Sequence, residues 1–217
     1  MPRLKWDEDG NRKYETGTDR GVLYVKDDSG AYPKGVAWDG LTGVTESPDG
    51  AEPTDLWAGN IKYGTIRSTE TFGGTISAYY SPEEFDECDG SVALAKGVNI
   101  GQQTRKPFGL SYRTLIGSDK NPDAGYIIHI VYGATASPTE RAYKTTNDSP
   151  EALELSWEFK TDPVTVSGAK PTSHLTINSL LVDADKLAKI EEELYGTESN
   201  AAHLPLPDEI KEIMTAA

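Results

Sequence analysis

The sequence is short of cysteines and of long apolar runs. A single cysteine in 217 residues leaves no disulfide to form within the chain. No stretch approaches the roughly 18 consecutive apolar residues of a membrane span, and the first residues are charged where a secretion signal is apolar. We therefore expect a protein that folds inside the cell, with no membrane anchor and no membrane partner.

Basic residues are also few. The chain has 21 lysines and arginines but 35 aspartates and glutamates, which gives a formal net charge of −14. A protein that grips nucleic acid needs clustered cations to displace the counterions of the phosphates. We expect this chain to repel DNA over most of its surface.

Enzyme signatures are missing as well. The sequence contains neither phosphate-binding glycine motif, no G-x-S-x-G nucleophile turn, and no C-x-x-C or H-E-x-x-H that would hold zinc. Cys88 lies among the acids of Glu83–Asp89, which oppose thiolate formation. We expect no catalytic residue, no cofactor and no metal site.

The three histidines fall in unrelated parts of the sequence. His129 lies within an apolar segment, His174 at the start of a predicted strand, and His203 between two predicted helices. For each of them a hydrogen-bonded structural role is the favoured interpretation over that of a ligand or base.

Glycines and prolines separate short β-branched and aromatic runs along most of the chain. The 21 glycines and 13 prolines recur about every ten residues, a pattern typical of an all-β sandwich or barrel. Tyr126–Tyr132 is apolar at every position but one, which predicts a central strand covered on both faces.

Glu151–Phe159 alternates between apolar and polar residues and predicts a half-buried strand. One face is assigned to the core and carries Leu153, Leu155, Trp157 and Phe159. The other face carries Glu154, Ser156 and Glu158.

Helical periodicity is confined to the C-terminal part. Asp183 is a predicted N-cap for a helix that runs to Tyr195 and stops at Gly196. Its core-facing residues are predicted to be Leu187, Ile190 and Leu194. A second, shorter helix is predicted over Pro207–Met214.

Gly40–Gly59 holds four glycines and two prolines, and predicts one long loop or extended hairpin. Its apolar residues suggest that it docks against something, either a neighbouring molecule or its own domain. They are Leu41, Val44, Leu56 and Trp57.

Several long segments together resemble the major tail protein, the tail tube protein, of long, non-contractile-tailed bacteriophages. They are WDGLTGVTESPDGAEPTDLWAGNIKYGTI (38–66), FGGTISAYYSPEEFDECDG (72–90), IGQQTRKPFGLSYRTLIG (100–117), VYGATASPTERAYKTTNDSPEALELSWEF (131–159) and KPTSHLTINSLLVDADKLAKIEEELYGT (170–197) with LPLPDEI (204–210). No single motif is diagnostic, and the weight of the resemblance lies in the order and number of the segments.

The resemblance implies a mainly β fold, a tail-tube-type sandwich or half-barrel with a flanking C-terminal helix and a long inter-ring loop. A single domain would span residues 1–217, with an N-terminal arm (1–20), the long loop (40–59) and a helical segment (183–214). Such subunits form hexameric rings that stack into a hollow tube within the virion, after synthesis in the host cytoplasm. The implied partners are other copies of the chain, the tape-measure protein, tail terminator and distal tail proteins, and viral DNA that passes through without specific binding.

On this basis Glu154, Ser156 and Glu158 are candidates for the lumen wall, with an ordinary solvated outer face as the alternative. Leu41, Val44, Leu56 and Trp57 are candidates for contacts between rings. A different function also stays open, a carbohydrate- or receptor-binding β-sandwich of a virion or cell surface, for which aromatic side chains must be exposed in the monomer. A hydrolase is a third alternative, but the sequence offers it no nucleophile and base.

Overall fold

A computed structural model describes residues 3–50, 52–145 and 152–216. Its strands are β1 (Lys13–Val25), β2 (Gly35–Ala37), β3 (Leu41–Glu46), β4 (Pro53–Ala58), β5 (Ile61–Arg67), β6 (Gly73–Ala78), β7 (Val92–Ala95), β8 (Val98–Ile100), β9 (Phe108–Ser118), β10 (Gly125–Ala136), β11 (Leu155–Thr161) and β12 (His174–Asn178). Its helices are α1 (Asp86–Asp89), which continues a 3-10 turn at Glu83–Phe85, α2 (Ala184–Tyr195) and α3 (Pro207–Thr215). The predicted mainly β class with a C-terminal helix is confirmed.

Eight strands form one sheet in the order β2-β1-β9-β10-β11-β6-β3, with β12 as an additional partner of β10. The two halves of β10 therefore have different neighbours on the same edge. Ile127–Val131 pairs with β12, whereas Ala134–Ala136 pairs with β11. Gly133 lies between the two halves with a φ of 62°, where the pairing with β9 also shifts register.

The first hydrophobic core lies on one face of the sheet, where side chains of β11, β6 and β3 pack with those of β9 and β10. Aromatic rings dominate it, and Trp157 makes edge contacts with both Trp38 and Phe85. The other central side chains are Leu23, Ile76, Phe108, Leu110, Val131 and Phe159. Cys88 of α1 is fully buried among them.

The second core lies on the opposite face, beneath α2 and α3. Ile128, Ile130 and Tyr132 of β10 pack there against the helices. The Tyr24 hydroxyl donates a hydrogen bond of 2.7 Å to the carbonyl of Leu194, which fixes the end of α2 to β1. The prediction that β10 is covered on both sides is confirmed.

The N-cap of α2 forms as predicted. The Asp183 carboxylate accepts hydrogen bonds from the backbone amides of Asp185 and Lys186. α2 buries Leu187, Ile190 and Leu194. None of the helices in the described ranges is long and apolar enough to cross a membrane.

Three segments differ from their predictions. Residues 40–59 are not one long loop, because Leu41–Glu46 joins the main sheet as β3 and Pro53–Ala58 forms one strand of a separate hairpin. Residues 13–20, expected in an N-terminal arm, belong to β1 and pair with β9. The strand predicted over Glu151–Phe159 begins at Leu155, and Glu151 lies outside the described residues.

Substitution of Gly133 tests whether the split of β10 depends on glycine. A Cβ at this position would lie 2.2 Å from the carbonyl oxygen of Asp162, in addition to the cost of about 1–2 kcal/mol for a left-handed alanine. We expect Gly133→Ala to lower the free energy of unfolding by about 1–3 kcal/mol more than the left-handed cost alone.

Gly97→Ala is the matched control, because Gly97 also has a positive φ of 76° but has open space around its Cβ position. Urea unfolding of both variants measures the difference. Equal losses of unfolding free energy in the two variants would show that the close approach of Asp162 to Gly133 does not constrain the division of β10.

Candidate assembly surfaces

Strands β4 and β5 form a hairpin that stands apart from the main sheet. They pair with each other and with no other described strand. The turn consists of Gly59 and Asn60, with φ values of 58° and 63°, as a two-residue type I′ turn requires.

The two faces of this hairpin differ in chemistry. Directly opposite residues of an antiparallel pair share a face. The register therefore places on one face the apolar side chains of Leu56, Ala58, Ile61 and Ile66. The other face is polar apart from Trp57, and there Lys62 Nζ lies 2.7 Å from Asp55 Oδ1, which also accepts a hydrogen bond from the Thr65 hydroxyl.

The apolar face has no cover within the described part of the chain. Ile61 is 66% exposed and Ile66 is 57% exposed, and Trp57 on the opposite face is 68% exposed. An isolated two-stranded hairpin is marginally stable in water, and contiguous exposed apolar side chains typically mark an interaction site. The β4–β5 hairpin therefore has the properties of a surface that another molecule completes.

A second hairpin, β7–β8, has similar properties. It also pairs with no other described strand, and its larger apolar side chains are exposed. They are Val92, Leu94, Val98 and Ile100. The hairpin is tied to the body by Asn99, whose amide donates a 2.6 Å hydrogen bond to the Asp86 carboxylate.

The four apolar residues expected in the long loop are divided between these environments. Leu56 and Trp57 lie on the β4–β5 hairpin and are exposed. Leu41 and Val44 lie instead in β3, where they pack against the first hydrophobic core of their own domain. Their side chains are directed inward because β3 pairs with β6, opposite Ala78 and Ile76.

The polar residues of β11 lie on the sheet face opposite the first core. Glu158 is in register with Thr75 and Thr45, and Ser156 is in register with Ser77. This surface, the β11 polar face, is rich in hydroxyl groups. Glu154 comes just before β11 and accepts a hydrogen bond from the hydroxyl of Thr42.

The apolar residues predicted for the core take three kinds of position. The buried ones are Trp157, Phe159, Leu187, Ile190 and Leu194. Leu155 is partly buried against the first core. Leu153 differs from the prediction: it precedes β11 and is 39% exposed, because the alternating segment becomes a strand only at Leu155.

The sheet brings two of the three histidines together. Glu46 Oε1 lies 3.1 Å from His129 Nδ1 and 3.2 Å from His174 Nε2. Burial lowers the pKa of His174, and the nearby Glu46 carboxylate opposes that effect. The sequence separates His129 and His174, whereas the sheet brings both to the Glu46 carboxylate; His203 lies apart beside Glu193.

Cys88 is shielded from solvent. Burial, with a further contribution from the Glu87 carboxylate, raises the pKa of its thiol to about 12. The thiol is therefore protonated at neutral pH, as its acidic sequence neighbours suggested.

Comparison with known proteins gives no family assignment. No protein-family model matches the chain, and no curated protein matches it. Among solved structures, the sheath–tube complex of an extracellular contractile injection system (PVC, extended state) contains a chain that is 11% identical, with a TM-score of 0.38 over 73% of this chain and 88% of that one. A chain of the sheath/tube terminator of that system is 9% identical, with a TM-score of 0.35 over 81% and 99%. Both belong to a contractile system, whereas the sequence resemblance is to non-contractile tails.

The ion pair on the polar face of the β4–β5 hairpin predicts a specific titration. The hydrogen bond from Lys62, followed by that from Thr65, lowers the pKa of the Asp55 carboxyl below the ordinary aspartate value of 3.8. We expect Lys62→Met to return that pKa toward 3.8, because the larger of the two causes is removed. A carboxyl-detected NMR titration of wild type and variant measures the shift.

A depressed carboxyl pKa contributes stability above the unfolded value, and this contribution is lost as the pH falls through the folded value. The pairing of β4 with β5 should therefore weaken only below about pH 4. An Asp55 pKa that is unchanged in Lys62→Met would show that the ion pair does not form in solution.

Proposed function

We propose that this chain is a structural subunit of the tail tube of a long, non-contractile-tailed bacteriophage, one that assembles into hexameric rings stacked as a hollow tube. The observation that carries the proposal is the uncovered apolar face of the β4–β5 hairpin. A subunit that functions only within an assembly can retain such an apolar face, because a neighbouring copy buries it. The segmental resemblance of the sequence to tail tube proteins supplies the identity of the assembly.

The β4–β5 hairpin is the proposed contact between successive rings, with Leu56 and Trp57 among its anchors. Aromatic and aliphatic side chains at the centre of an interface typically carry most of its binding energy. Leu41 and Val44 are excluded from this role because they stabilise the subunit's own core. The β7–β8 hairpin is a second candidate for contact with a neighbouring subunit.

The β11 polar face, together with Glu154, is the proposed wall of the bore. Its hydroxyl groups and carboxylates offer no cations to phosphates, Lys160 is the one cation of β11, and a net charge of −14 adds repulsion. Duplex DNA carries one negative charge per ~1.7 Å of axis, so a basic wall would hold it at many points. A wall of this composition lets DNA move through without specific binding.

The remaining proposed partners follow from the assembly. The tape-measure protein would occupy the bore before the DNA, and terminator and distal tail proteins would bind the two ends of the tube. The subunit would be made in the host cytoplasm and would end up in the virion tail. The role requires no catalysis and no cofactor.

A carbohydrate- or receptor-binding function is the second candidate, and one observation favours it. Trp57 and Tyr63 are exposed on the same hairpin, and exposed aromatic rings are suited to stacking on sugars. The two other tryptophans of the β-rich part, Trp38 and Trp157, are buried and unavailable. Titration of tryptophan fluorescence with a panel of glycans separates this function from assembly.

Substitution of the apolar hairpin face tests the assembly role. We expect the double variant Ile61→Ser/Ile66→Ser to remain monomeric at concentrations where the wild type forms rings or rods, because the buried apolar contact is lost. Sedimentation velocity and negative-stain microscopy measure the difference. The fold of the sheet should not change, since neither residue belongs to the two cores.

Leu181→Ser is the matched control, because Leu181 is 83% exposed and lies outside both hairpins. It should assemble as the wild type does. Normal ring spacing in the double variant, or a wild type that is monomeric even at the highest concentration, would argue against the hairpin as an assembly contact.

Charge reversal tests the bore assignment. Tubes of Glu154→Lys/Glu158→Lys should bind short duplex DNA, with a logarithmic salt dependence of about −0.9 per neutralised phosphate. Tubes of Glu198→Lys, which reverses an exposed acid beyond α2, should bind no more than the wild type. Fluorescence anisotropy of labelled DNA measures binding, and equal binding by both variants would place the β11 polar face elsewhere than the bore.

A further inference from the structure

Glu46, His129 and His174 converge at one end of the first core. They come from β3, β10 and β12, three strands that the sheet brings together although they are far apart in sequence. The Glu46 carboxylate lies 3.1 Å from one imidazole nitrogen and 3.2 Å from the other. One ligand atom from each residue lies within 4.8 Å of the ligand atoms of the other two.

These distances suit a small metal ion. Zn²⁺ binds imidazole nitrogen and carboxylate oxygen at about 2.0–2.2 Å, so neighbouring ligand atoms of a tetrahedral site are roughly 3.3 Å apart. Both carboxylate-to-imidazole distances are close to that value. The two imidazole nitrogens lie within 4.8 Å of each other.

The groups behind the ligands are also those of a metal site. The second nitrogen of His129, Nε2, is 3.0 Å from the hydroxyl of Thr114, which fixes the ring orientation. The Tyr112 hydroxyl donates a hydrogen bond to Glu46 Oε1. Metal-binding histidines and carboxylates are typically oriented by such outer hydrogen bonds.

The rings are held in place by stacking. His129 stacks on Tyr112 with a centroid distance of 4.8 Å, and His174 stacks on Phe72 at the same distance. The two imidazoles lie at 18° to each other. Their nitrogens are therefore presented to Glu46 by rigid neighbours.

One atom of the cluster lacks a hydrogen bond. His174 Nε2 is inaccessible to solvent and, despite its proximity to Glu46, has no well-aligned partner among the described residues. Buried polar atoms are almost always satisfied, so an unsatisfied one requires an explanation. A bound cation at this point would supply the missing partner.

We propose that Glu46, His129 and His174 bind a divalent transition-metal ion, with Zn²⁺ as the best fit to two imidazoles and one carboxylate. The three residues would supply three ligands, and a water molecule would complete the four-coordinate site. The ion joins β3 to β10 and β12, two strands with which β3 does not pair. Its role is structural and does not depend on the assembly function proposed above.

Metal titration of the full-length chain tests the site. After dialysis against a chelator, Co²⁺ should give the visible absorption of a four-coordinate ion that saturates at one equivalent, and Zn²⁺ should displace it. Calorimetry with ZnCl₂ should give the same stoichiometry, and Zn²⁺ should raise the melting temperature. Glu46→Gln, His129→Gln and His174→Gln should each weaken binding by more than the roughly 10–100-fold that loss of an outer-shell group causes.

His203→Gln is the matched control, because His203 also lies 3.2 Å from a carboxylate, that of Glu193, but has no third ligand among the described residues. It should bind Zn²⁺ as the wild type does, and Thr114→Val should weaken binding about tenfold or more. Binding without saturation at one equivalent, or an equal loss in His203→Gln, would overturn the proposal. If circular dichroism shows that a ligand variant does not fold, the cobalt spectrum of the wild type tests the site by itself. A spectrum typical of six-coordinate Co²⁺ would overturn the proposal.

Discussion

The division of β10 at Gly133 is the constraint on which the rest of the structure depends. Because the two halves of this strand pair with β12 and β11 on the same edge, β11, β6 and β3 form a part of the sheet separate from β12, and their side chains pack with those of β9 and β10 in the first core. A side chain at Gly133 would meet the backbone of Asp162, which follows β11. The same separation brings Glu46 of β3 back to the two histidines, so the proposed metal site is a result of the bend.

The parts of the fold that could be predicted are those specified by neighbouring residues. Asp183 and the spacing of Leu187, Ile190 and Leu194 define α2 locally, and the apolar run of β10 indicates burial on both faces. The bounds of the β4–β5 hairpin differ from the long loop or extended hairpin predicted over 40–59, because the flanking glycines hid a local signal, the Gly59-Asn60 turn. The histidine cluster had no local signal at all, because His129 and Glu46 are 83 positions apart and meet only through the sheet topology.

Stability and assembly are assigned to different parts of the chain. The two cores, one on each face of the sheet, contain the aromatic and aliphatic side chains that hold the domain together. The two hairpins contribute little to those cores and expose their apolar residues instead. In the proposed tube, a net charge of −14 would keep free subunits apart by mutual repulsion, so an apolar contact would have to be extensive before two copies stay together.

The burial of Cys88 has a practical consequence for observing this protein. The only thiol of the chain is enclosed by the first core and remains protonated, so maleimide reagents have no site on the native fold. A cysteine introduced on either hairpin would therefore be the one thiol that a maleimide modifies, and Cys88 would not have to be replaced first. A fluorophore attached there would report the moment at which that hairpin passes from water into contact with a neighbouring molecule.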